Sequence, residues 1–433
     1  MNSVNIPTIL VGSGSRTANP EEYQELLEVG SPDMEDRLML NQLLIASQEL
    51  TDVPMVAGNN CQLLIDGNET FDSIFEDIRR ARHSIYLETF ILENDRVGME
   101  LADHLVDARS RGVAVHILID AIGSFELPSE YIQSLEEKGI ELRKFNPVTP
   151  VGEINLLKFN NRDHRKLMVV DGRVAYTGGI NISGVYSEGS LSVSPRSEHQ
   201  DNPWRDTHVR ITGPVVRHFQ KHFLQMWNAG YETAPPPKNE WRRETAENSG
   251  DMVVGVFTSQ GGDGNTSDIY AVTAASIGHA QERIWITQAY FAPDDTLIEL
   301  LVLAAQRGVD VRLILPGVSD APLILQASRS IYQKLLESGV RIYERNHSVL
   351  HAKTLVVDGV WSSIGSANYD YRSFIYNYEI NAVIVSRKFG REMEEQYQKD
   401  LSQAEVITLQ SWGQRSLLQR LKEVLGNIMR RWL

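Results

Sequence analysis

The residues best suited to chemistry in this sequence occur in two copies of one short motif. The first copy comprises His164, Lys166, Asp171 and Asn181, and the second comprises His351, Lys353, Asp358 and Asn368. In each copy lysine follows histidine by two residues, aspartate by seven and asparagine by seventeen, and the copies are 187 residues apart throughout. Imidazole, ammonium, carboxylate and amide groups at fixed spacing can bind an anion and move a proton. Two copies in register indicate one composite site rather than two chance matches.

The spacing within each copy predicts how its side chains are presented. A side-chain period of two puts the histidine and the lysine on one face of a strand. The Asp-Gly pair that follows predicts a hairpin, and the glycines beyond it allow close backbone approach. Two such copies facing each other would surround one cavity with two imidazoles, two ammonium groups and two amides.

That combination suits a phosphodiester. Negative charge grows on the non-bridging oxygens of phosphorus in the transition state, and fixed lysines and amides stabilise it without a metal. One imidazole can attack phosphorus while the other donates a proton to the departing alkoxide. A metal site would need further histidines, cysteines or clustered carboxylates at ligand spacing, and the lysines would repel a cation. The sequence therefore predicts neither a metal nor a cofactor.

The elements that must hold the motifs also recur. A strand at 84–91, a helix at 98–111 and a strand at 113–120 are repeated further on at offsets between 196 and 200. Strands alternating with helices predict βαβ units and a layered α/β fold. We predict an N-terminal extension over 1–60 with a helix at 34–50, halves at 61–245 and 246–410, and a C-terminal amphipathic helix over 411–433. The polar, proline-rich stretch 234–250 marks the boundary between the halves.

Bulk properties restrict the partners. The net charge of −15 argues against nucleic acid as a partner, since a basic face would be expected. The single cysteine, Cys61, permits no intramolecular disulfide and weakly favours a reducing compartment. Residues 1–14 lack the pattern of a signal peptide, and no apolar run approaches the ~20 residues that a membrane span requires. Membrane contact is therefore expected to be peripheral.

The paired motif resembles the signature of the phospholipase D superfamily and, more narrowly, of the bacterial cardiolipin synthases. The segments that carry the resemblance are 163–166, 178–181, 204–210, 307–312, 365–368, 372–373 and 377–379. It implies two α/β/α-layered halves with mixed sheets, related by a pseudo-two-fold axis. It also implies a ping-pong mechanism with His164 as nucleophile and His351 as general acid and then base. Asp206 and Glu379 stand where relatives carry the carboxylates that orient the histidines.

The function that this resemblance implies is phosphatidyl transfer, most simply from one phosphatidylglycerol to another to give cardiolipin and glycerol. Three alternatives stay open: hydrolysis that releases phosphatidic acid, cleavage of nucleic acid, and a membrane-binding scaffold with a relic site. The sequence also leaves open the acceptor alcohol, the acyl preference, which histidine becomes phosphorylated, the role of residues 1–60 and the oligomeric state.

The last twenty residues predict how the protein reaches its substrate. Apolar residues recur at helical spacing from Leu417 to Trp432, and five arginines and lysines accompany the single Glu423. This pattern is typical of an amphipathic helix on an anionic membrane surface, although a helix docked on the protein's own core fits equally. We therefore expect a peripheral protein on the cytoplasmic face of the bacterial inner membrane.

Overall fold

The computed structural model describes residues 7–12, 14, 16–30, 34–147, 160–187, 202–229, 247–261 and 267–430. Residues 234–246 of the expected boundary at 234–250 lie outside the described residues. The last three residues, which include Arg431 and Trp432, also lie outside them.

The first half is built on a seven-stranded mixed sheet. Its strands, in spatial order, are β3 (Met55–Ile65), β9 (Thr207–Thr212), β8 (Val174–Gly178), β7 (Lys166–Val170), β4 (Ser84–Thr89), β5 (Ala114–Asp120) and β6 (Glu141–Phe145). β4, β5 and β6 run parallel, and the other neighbours are antiparallel. Loops after the parallel strands therefore meet the start of β7 at one edge of the sheet.

The second half repeats that order. Its strands are β10 (Met252–Ser259), β16 (Glu379–Val385), β15 (Trp361–Gly365), β14 (Lys353–Val357), β11 (Arg283–Gln288), β12 (Asp310–Pro316), β13 (Arg341–Arg345) and, at the edge, β17 (Ala404–Ile407). β10 pairs with β3 and joins the two sheets edge to edge. The predicted α/β fold of two mixed-sheet halves is confirmed.

Helices cover both faces of the sheets. They are α1 (Pro20–Gly30), α2 (Met34–Leu50), α3 (Asp66–Arg80), α4 (Arg96–Ser110), α5 (Ser129–Glu137), α6 (Val216–Asn228), α7 (Asp268–His279), α8 (Asp295–Gln306), α9 (Pro322–Arg329), α10 (Tyr332–Glu337), α11 (Arg387–Leu401), α12 (Leu409–Gly413) and α13 (Leu417–Met429). Phe219, Phe223 and Trp227 recur on one face of α6 and share a core with Phe389 of α11 and with strands of both sheets. This shared core holds the halves against each other. None of the described helices combines the length and apolarity needed to cross a membrane.

The N-terminal segment, which begins with the short paired strands β1 (Ile9–Val11) and β2 (Arg16–Thr17), packs on the second half. The predicted helix at 34–50 is α2, whose Leu40 and Leu43 are buried in one core with Phe257 and Val272. β3 begins at Met55, six residues before the predicted start of the first half at 61. The run Gly58-Asn59-Asn60 resembles a loop in sequence but continues this strand.

The C-terminal helix α13 is docked with its polar side inward. Glu423 and Gly426 are buried, and the Gly426 backbone lies so close to α9 that an added Cβ would sit 2.5 Å from the Gln326 carbonyl carbon. The large apolar side chains of α13 that are more than half exposed are Leu417, Leu418, Leu421, Val424, Leu425 and Ile428. We call these six residues the apolar face of α13.

The charges of this region differ from the expectation. Arg415 pairs with Glu423 at 2.9 Å, and buried Arg430 donates to the Pro293 carbonyl oxygen at 2.9 Å. Arg430 therefore fixes the helix to the rest of the protein, and Arg415 is paired within the C-terminal segment instead of facing lipid.

Candidate active site

Main-chain bridges between the halves position both histidines. The His164 amide donates to the Tyr378 carbonyl at 3.0 Å, and the Tyr378 amide donates to the Arg162 carbonyl at 2.8 Å. In the second half, the His351 amide donates to the Arg205 carbonyl at 2.8 Å. Each histidine therefore lies beside the residue that precedes the other half's orienting carboxylate.

The imidazole–carboxylate pairs are crossed between the halves. His164 Nδ1 lies 2.9 and 3.0 Å from the two carboxylate oxygens of Glu379, and His351 Nδ1 lies 2.7 Å from Asp206 Oδ2. A carboxylate at Nδ1 fixes the proton there and leaves Nε2 to react. Both carboxylates are fully buried, and the histidines are 8% and 5% exposed.

The lysines lie on the same face of their strands as the histidines. Lys166 Nζ donates to the His164 carbonyl oxygen at 2.7 Å, and Lys353 Nζ makes the same bond to His351. The Lys166 ammonium is 5.3 Å from the centroid of the Phe90 ring. Each ammonium group is therefore held beside its own imidazole, as the strand period predicts.

The electrostatics show that both motif copies share one site. Burial lowers the pKa of Lys166 to about 7, Glu379 opposes the shift, and the Lys353 ammonium lowers the pKa further. Burial likewise lowers the pKa of Lys353 to about 8. The pKa of His351 lies well below its ordinary value, chiefly because of burial and the Lys353 charge and, to a smaller extent, because of Lys166 and His164. So much positive charge in a dry cleft calls for an anionic ligand.

The two carboxylates differ in ionisation. Burial raises the pKa of Asp206 to about 6, although the Lys353 charge opposes the shift. Burial also raises the pKa of Glu379, but His164 and Lys166 outweigh burial and hold that pKa below its ordinary value. Glu379 is thus the more firmly ionised partner near neutral pH.

The residues packed under the carboxylates differ in a matching way. A Cβ on Gly179 would lie 2.2 Å from Asp206 Oδ1, so only glycine leaves room for that carboxylate. At the corresponding place in the second half, the Ser366 hydroxyl donates to Glu379 Oε2 at 2.5 Å. The halves therefore accommodate an aspartate and a glutamate by different local means.

Both asparagines of the motif are buried, and Asn181 is linked to His351 through a tyrosine. Asn181 donates through Nδ2 to the Tyr186 hydroxyl at 3.0 Å, and the same hydroxyl lies 3.4 Å from His351 Nδ1. Asn368 Oδ1 is buried and has no hydrogen-bond partner within the described part of the chain. That the two amides contact phosphate stays a prediction.

The motif aspartates do not join the site. Asp171 lies at the far end of β7 and accepts backbone N–H groups of Arg82, His83 and Ser84 at 2.7–2.9 Å. Asp358 does the same for residues 281–283 at 2.8–2.9 Å. Five strand residues at ~3.3 Å each separate these carboxylates from the histidines. The structure therefore places both aspartates away from the histidines, where they tie each hairpin to the preceding helix–strand turn, and a catalytic role for them stays a prediction.

Aromatic rings that the motif did not reveal surround the histidines. His351 is flanked by Trp204 at 5.5 Å, Tyr186 at 5.7 Å and Tyr290 at 6.2 Å between ring centroids. Phe90 lies 5.0 Å from His164 in an edge-on arrangement. Phe90 and Tyr290 lie at the ends of the predicted strand at 84–91 and of its repeat, and this position is the signal that could have found them.

This arrangement, two repeated sheets whose His-x-Lys strands meet at one site, defines a phospholipase D-type fold. The comparisons narrow the class. A family model described as cardiolipin synthase, PLD-like domain matches residues 74–227 and 274–401, and the chain belongs to this family. The predicted family and its enzyme class, a phospholipase D-superfamily transferase, are confirmed.

Individual relatives agree with this assignment. The chain is 35% identical over 390 residues to a cardiolipin synthase of a Geobacillus species, covering 89% of this chain and 75% of the relative. It is 36% identical over 379 residues to cardiolipin synthase A of Pseudomonas syringae, covering 87% and 76%. The crystal structure of a phosphatidylserine synthase from Haemophilus influenzae matches with a TM-score of 0.64, at 17% identity over 90% of this chain and 96% of that one. At that identity the match supports the fold alone.

Proposed function

We propose that the protein moves a phosphatidyl group between glycerophospholipids through a covalent phosphohistidine, most simply making cardiolipin and glycerol from two phosphatidylglycerols. The observation that carries the proposal is the crossed pair of imidazole–carboxylate contacts around one doubly cationic site. The names of the relatives support this substrate class.

In the first step, His164 Nε2 attacks phosphorus and forms a P–N bond. The P–O bond to the departing glycerol breaks, and His351 gives its Nε2 proton to that oxygen. The phosphate charge raises the pKa of His351 towards the range in which it can carry this proton. Lys166 and Lys353 stabilise the charge on the non-bridging oxygens.

In the second step, the roles of proton donor and acceptor reverse. His351 takes the proton of an incoming hydroxyl group, the hydroxyl oxygen attacks phosphorus, and the P–N bond to His164 breaks. A lipid hydroxyl gives transfer, whereas water gives phosphatidic acid. Catalysis needs no group beyond the side chains of the chain itself.

The assignment of His164 as nucleophile is supported by its partner. A phosphorylated imidazole carries positive charge, and the firmly ionised Glu379 lies within 3.0 Å of its Nδ1. Asp206, whose pKa is raised to about 6, stabilises a charged His351 less strongly. A less stabilised imidazolium is the better proton donor.

The direct test is incubation of the purified protein with labelled phosphatidylglycerol, followed by resolution of the lipid products. We expect labelled cardiolipin, persistence of activity in excess chelator, and loss of activity in His164→Ala. Phosphatidic acid as the main product would instead favour hydrolysis. Loss of activity on chelation alone would contradict the mechanism. A gel assay of DNA cleavage tests the nucleic-acid alternative, and no cleavage is expected.

We also propose that the apolar face of α13 contacts an anionic bilayer, at the cytoplasmic face of the inner membrane. The docking site supports this orientation. α9, against which α13 packs, begins just beyond the loop that carries Asp320 beside Tyr290. Arg430 binds the carbonyl of Pro293, three residues after Tyr290. The apolar face of α13 therefore lies at the end of the sheet where the histidines are.

Liposome sedimentation tests this contact with substitutions that leave the docked side of α13 intact. The double variant Leu421→Glu/Leu425→Glu should bind at least roughly a hundredfold more weakly, because burying each leucine contributes about 1.5–3 kcal/mol and two leucines are lost. Leu303→Glu is the matched control, since Leu303 is 43% exposed near the end of α8 that points away from the site. Equal binding by the double variant and the control would eliminate the anchor.

A further inference from the structure

The loop after β12 presents an exposed carboxylate beside the second-half histidine. Asp320 Oδ2 accepts a hydrogen bond from the Tyr290 hydroxyl at 2.6 Å, and Oδ1 accepts one from Ser319 at 3.4 Å. The Tyr290 ring centroid lies 6.2 Å from that of His351 and 6.0 Å from Lys353 Nζ. A carboxylate offers about four acceptor positions, so within the described part of the chain about two of them remain for a ligand.

The first half uses the corresponding position differently. Ser124 lies 196 residues before Asp320, the offset that relates β5 to β12. Its buried hydroxyl donates to the Phe90 carbonyl at 3.0 Å and accepts from the Leu92 amide at 3.0 Å. Both hydrogen bonds of the Ser124 hydroxyl are thus made to backbone groups of neighbouring loops. Asp320, in contrast, is exposed and is held by a tyrosine that faces the site. At this pair of corresponding positions, the second half therefore has an exposed acceptor carboxylate where the first half has a buried hydroxyl.

We propose that Asp320, positioned by Tyr290, accepts hydrogen bonds from the non-reacting hydroxyls of a glycerol headgroup and so selects polyol alcohols. This inference rests on the proposed function, in which His351 exchanges a proton with the alcohol that leaves and with the alcohol that enters. In cardiolipin synthesis both alcohols carry a glycerol unit. One subsite at His351 therefore serves both steps.

The surrounding charge favours a neutral polyol over an ammonium alcohol. A carboxylate alone would accept hydrogen bonds from either. Lys353 approaches the same tyrosine ring, so a cationic headgroup bound to Asp320 would lie beside a second ammonium group. Hydroxyl groups carry no such penalty, because they meet the carboxylate as donors without adding charge.

Competition between two alcohols tests the subsite. A donor with a p-nitrophenol headgroup loads His164, and equal concentrations of glycerol and 1-propanol then compete for the same phosphoenzyme. Each hydroxyl gives its proton to His351 as its oxygen replaces the P–N bond with a P–O bond. The ratio of phosphatidylglycerol to phosphatidylpropanol reports acceptor choice alone, because any change in phosphoenzyme formation cancels.

We expect wild type to favour glycerol and Asp320→Ala to lower the product ratio roughly tenfold, the loss expected for a hydrogen bond to a charged group. Asp320→Asn keeps an acceptor oxygen without the charge and should give an intermediate ratio. The matched control is Glu126→Ala, which deletes an exposed carboxylate of the first-half loop and should keep the wild-type ratio.

Each other outcome is decisive. An unchanged ratio in Asp320→Ala overturns the subsite while leaving the proposed function intact. If ethanolamine replaces propanol as competitor and only its use falls in the variant, the site takes ammonium alcohols and the polyol proposal is wrong. Absence of p-nitrophenol release by wild type would refute the proposed function and the subsite with it.

Discussion

The crossed contact between His164 and Glu379 leads to a prediction about a single step of the reaction. Glu379 is fully buried and receives His164 Nδ1 at 2.9 Å, the Ser366 hydroxyl at 2.5 Å and the Asn377 amide at 3.4 Å. Every one of these neighbours can donate to it. Glu379→Gln keeps the shape but replaces one accepting oxygen by a donor and removes the charge.

The expected loss follows from these contacts. The amide offers one oxygen for two short hydrogen bonds, so one bond to a charged acceptor is lost, at about 1.5–3 kcal/mol. If the amide donates to Nδ1, His164 carries its proton on Nε2 and cannot attack. Where a carboxylate fixes the tautomer of a catalytic histidine, its amide replacement costs about 10⁴ in rate. We therefore expect phosphoenzyme formation to slow by roughly 10³–10⁴.

Rapid-quench measurement with the p-nitrophenol donor separates the two steps. Its leaving group needs no proton, so the burst of p-nitrophenol reports attack by His164. Asp206→Asn is the matched control: it disturbs His351, so it should preserve the burst and slow turnover. A burst within threefold of wild type in Glu379→Gln, or a lost burst in Asp206→Asn alone, would refute the assignment of the two histidines.

Three further predictions follow from the buried charges. Asp358→Asn should lower the melting temperature but leave kcat of the folded enzyme within about twofold, because within the described part of the chain that carboxylate binds backbone amides away from the site. A large loss of kcat would instead support the catalytic role predicted from the motif. In mixed micelles kcat/KM should fall as pH rises through about 7 to 8, because Lys166 and Lys353 then lose the charges that bind phosphate. The fall in kcat should occur only at higher pH, because bound phosphate raises the pKa of both lysines. A kcat/KM that does not change with pH would contradict this prediction. Asp400→Asn removes a charge from a buried bidentate pair with Arg205 at 2.7–2.8 Å, so calorimetry should show a loss of about 3–5 kcal/mol, or about 3–5 °C; an unchanged melting temperature would show that the pair does not stabilise the halves.

Much of the fold could be predicted because the duplication constrains it. The repeated offsets require two sheets of one order, and the period of two requires His164 and Lys166 to share a face. The same strand geometry should have excluded Asp171, since a strand of five residues carries it away from the histidine. Asp171 was nevertheless predicted to join the histidine because both belong to the same motif.

Other features could not be predicted because they depend on packing between distant segments. Which carboxylate orients which histidine is decided by the bridges at Tyr378 and Arg205, and each bridge joins opposite halves. The placement of α2 on the second half depends on the shape of that core. The outward apolar face of α13 depends on Gly426, whose lack of a side chain lets the polar side of the helix approach α9.

The crossing also offers a reason why two similar halves could perform the opposite tasks that we propose for them. Because each imidazole takes its carboxylate from the other half, neither half alone holds an oriented histidine, and the site exists only where the sheets meet. Substitutions in one half therefore tune the histidine of the other. Glu379 in the second half can favour a phosphorylated His164, while Asp206 beside Gly179 in the first half holds His351 more weakly and suits it to exchanging protons. On this reasoning, the difference in catalytic role lies in the carboxylates and the residues beneath them, while the motif copies themselves stay alike.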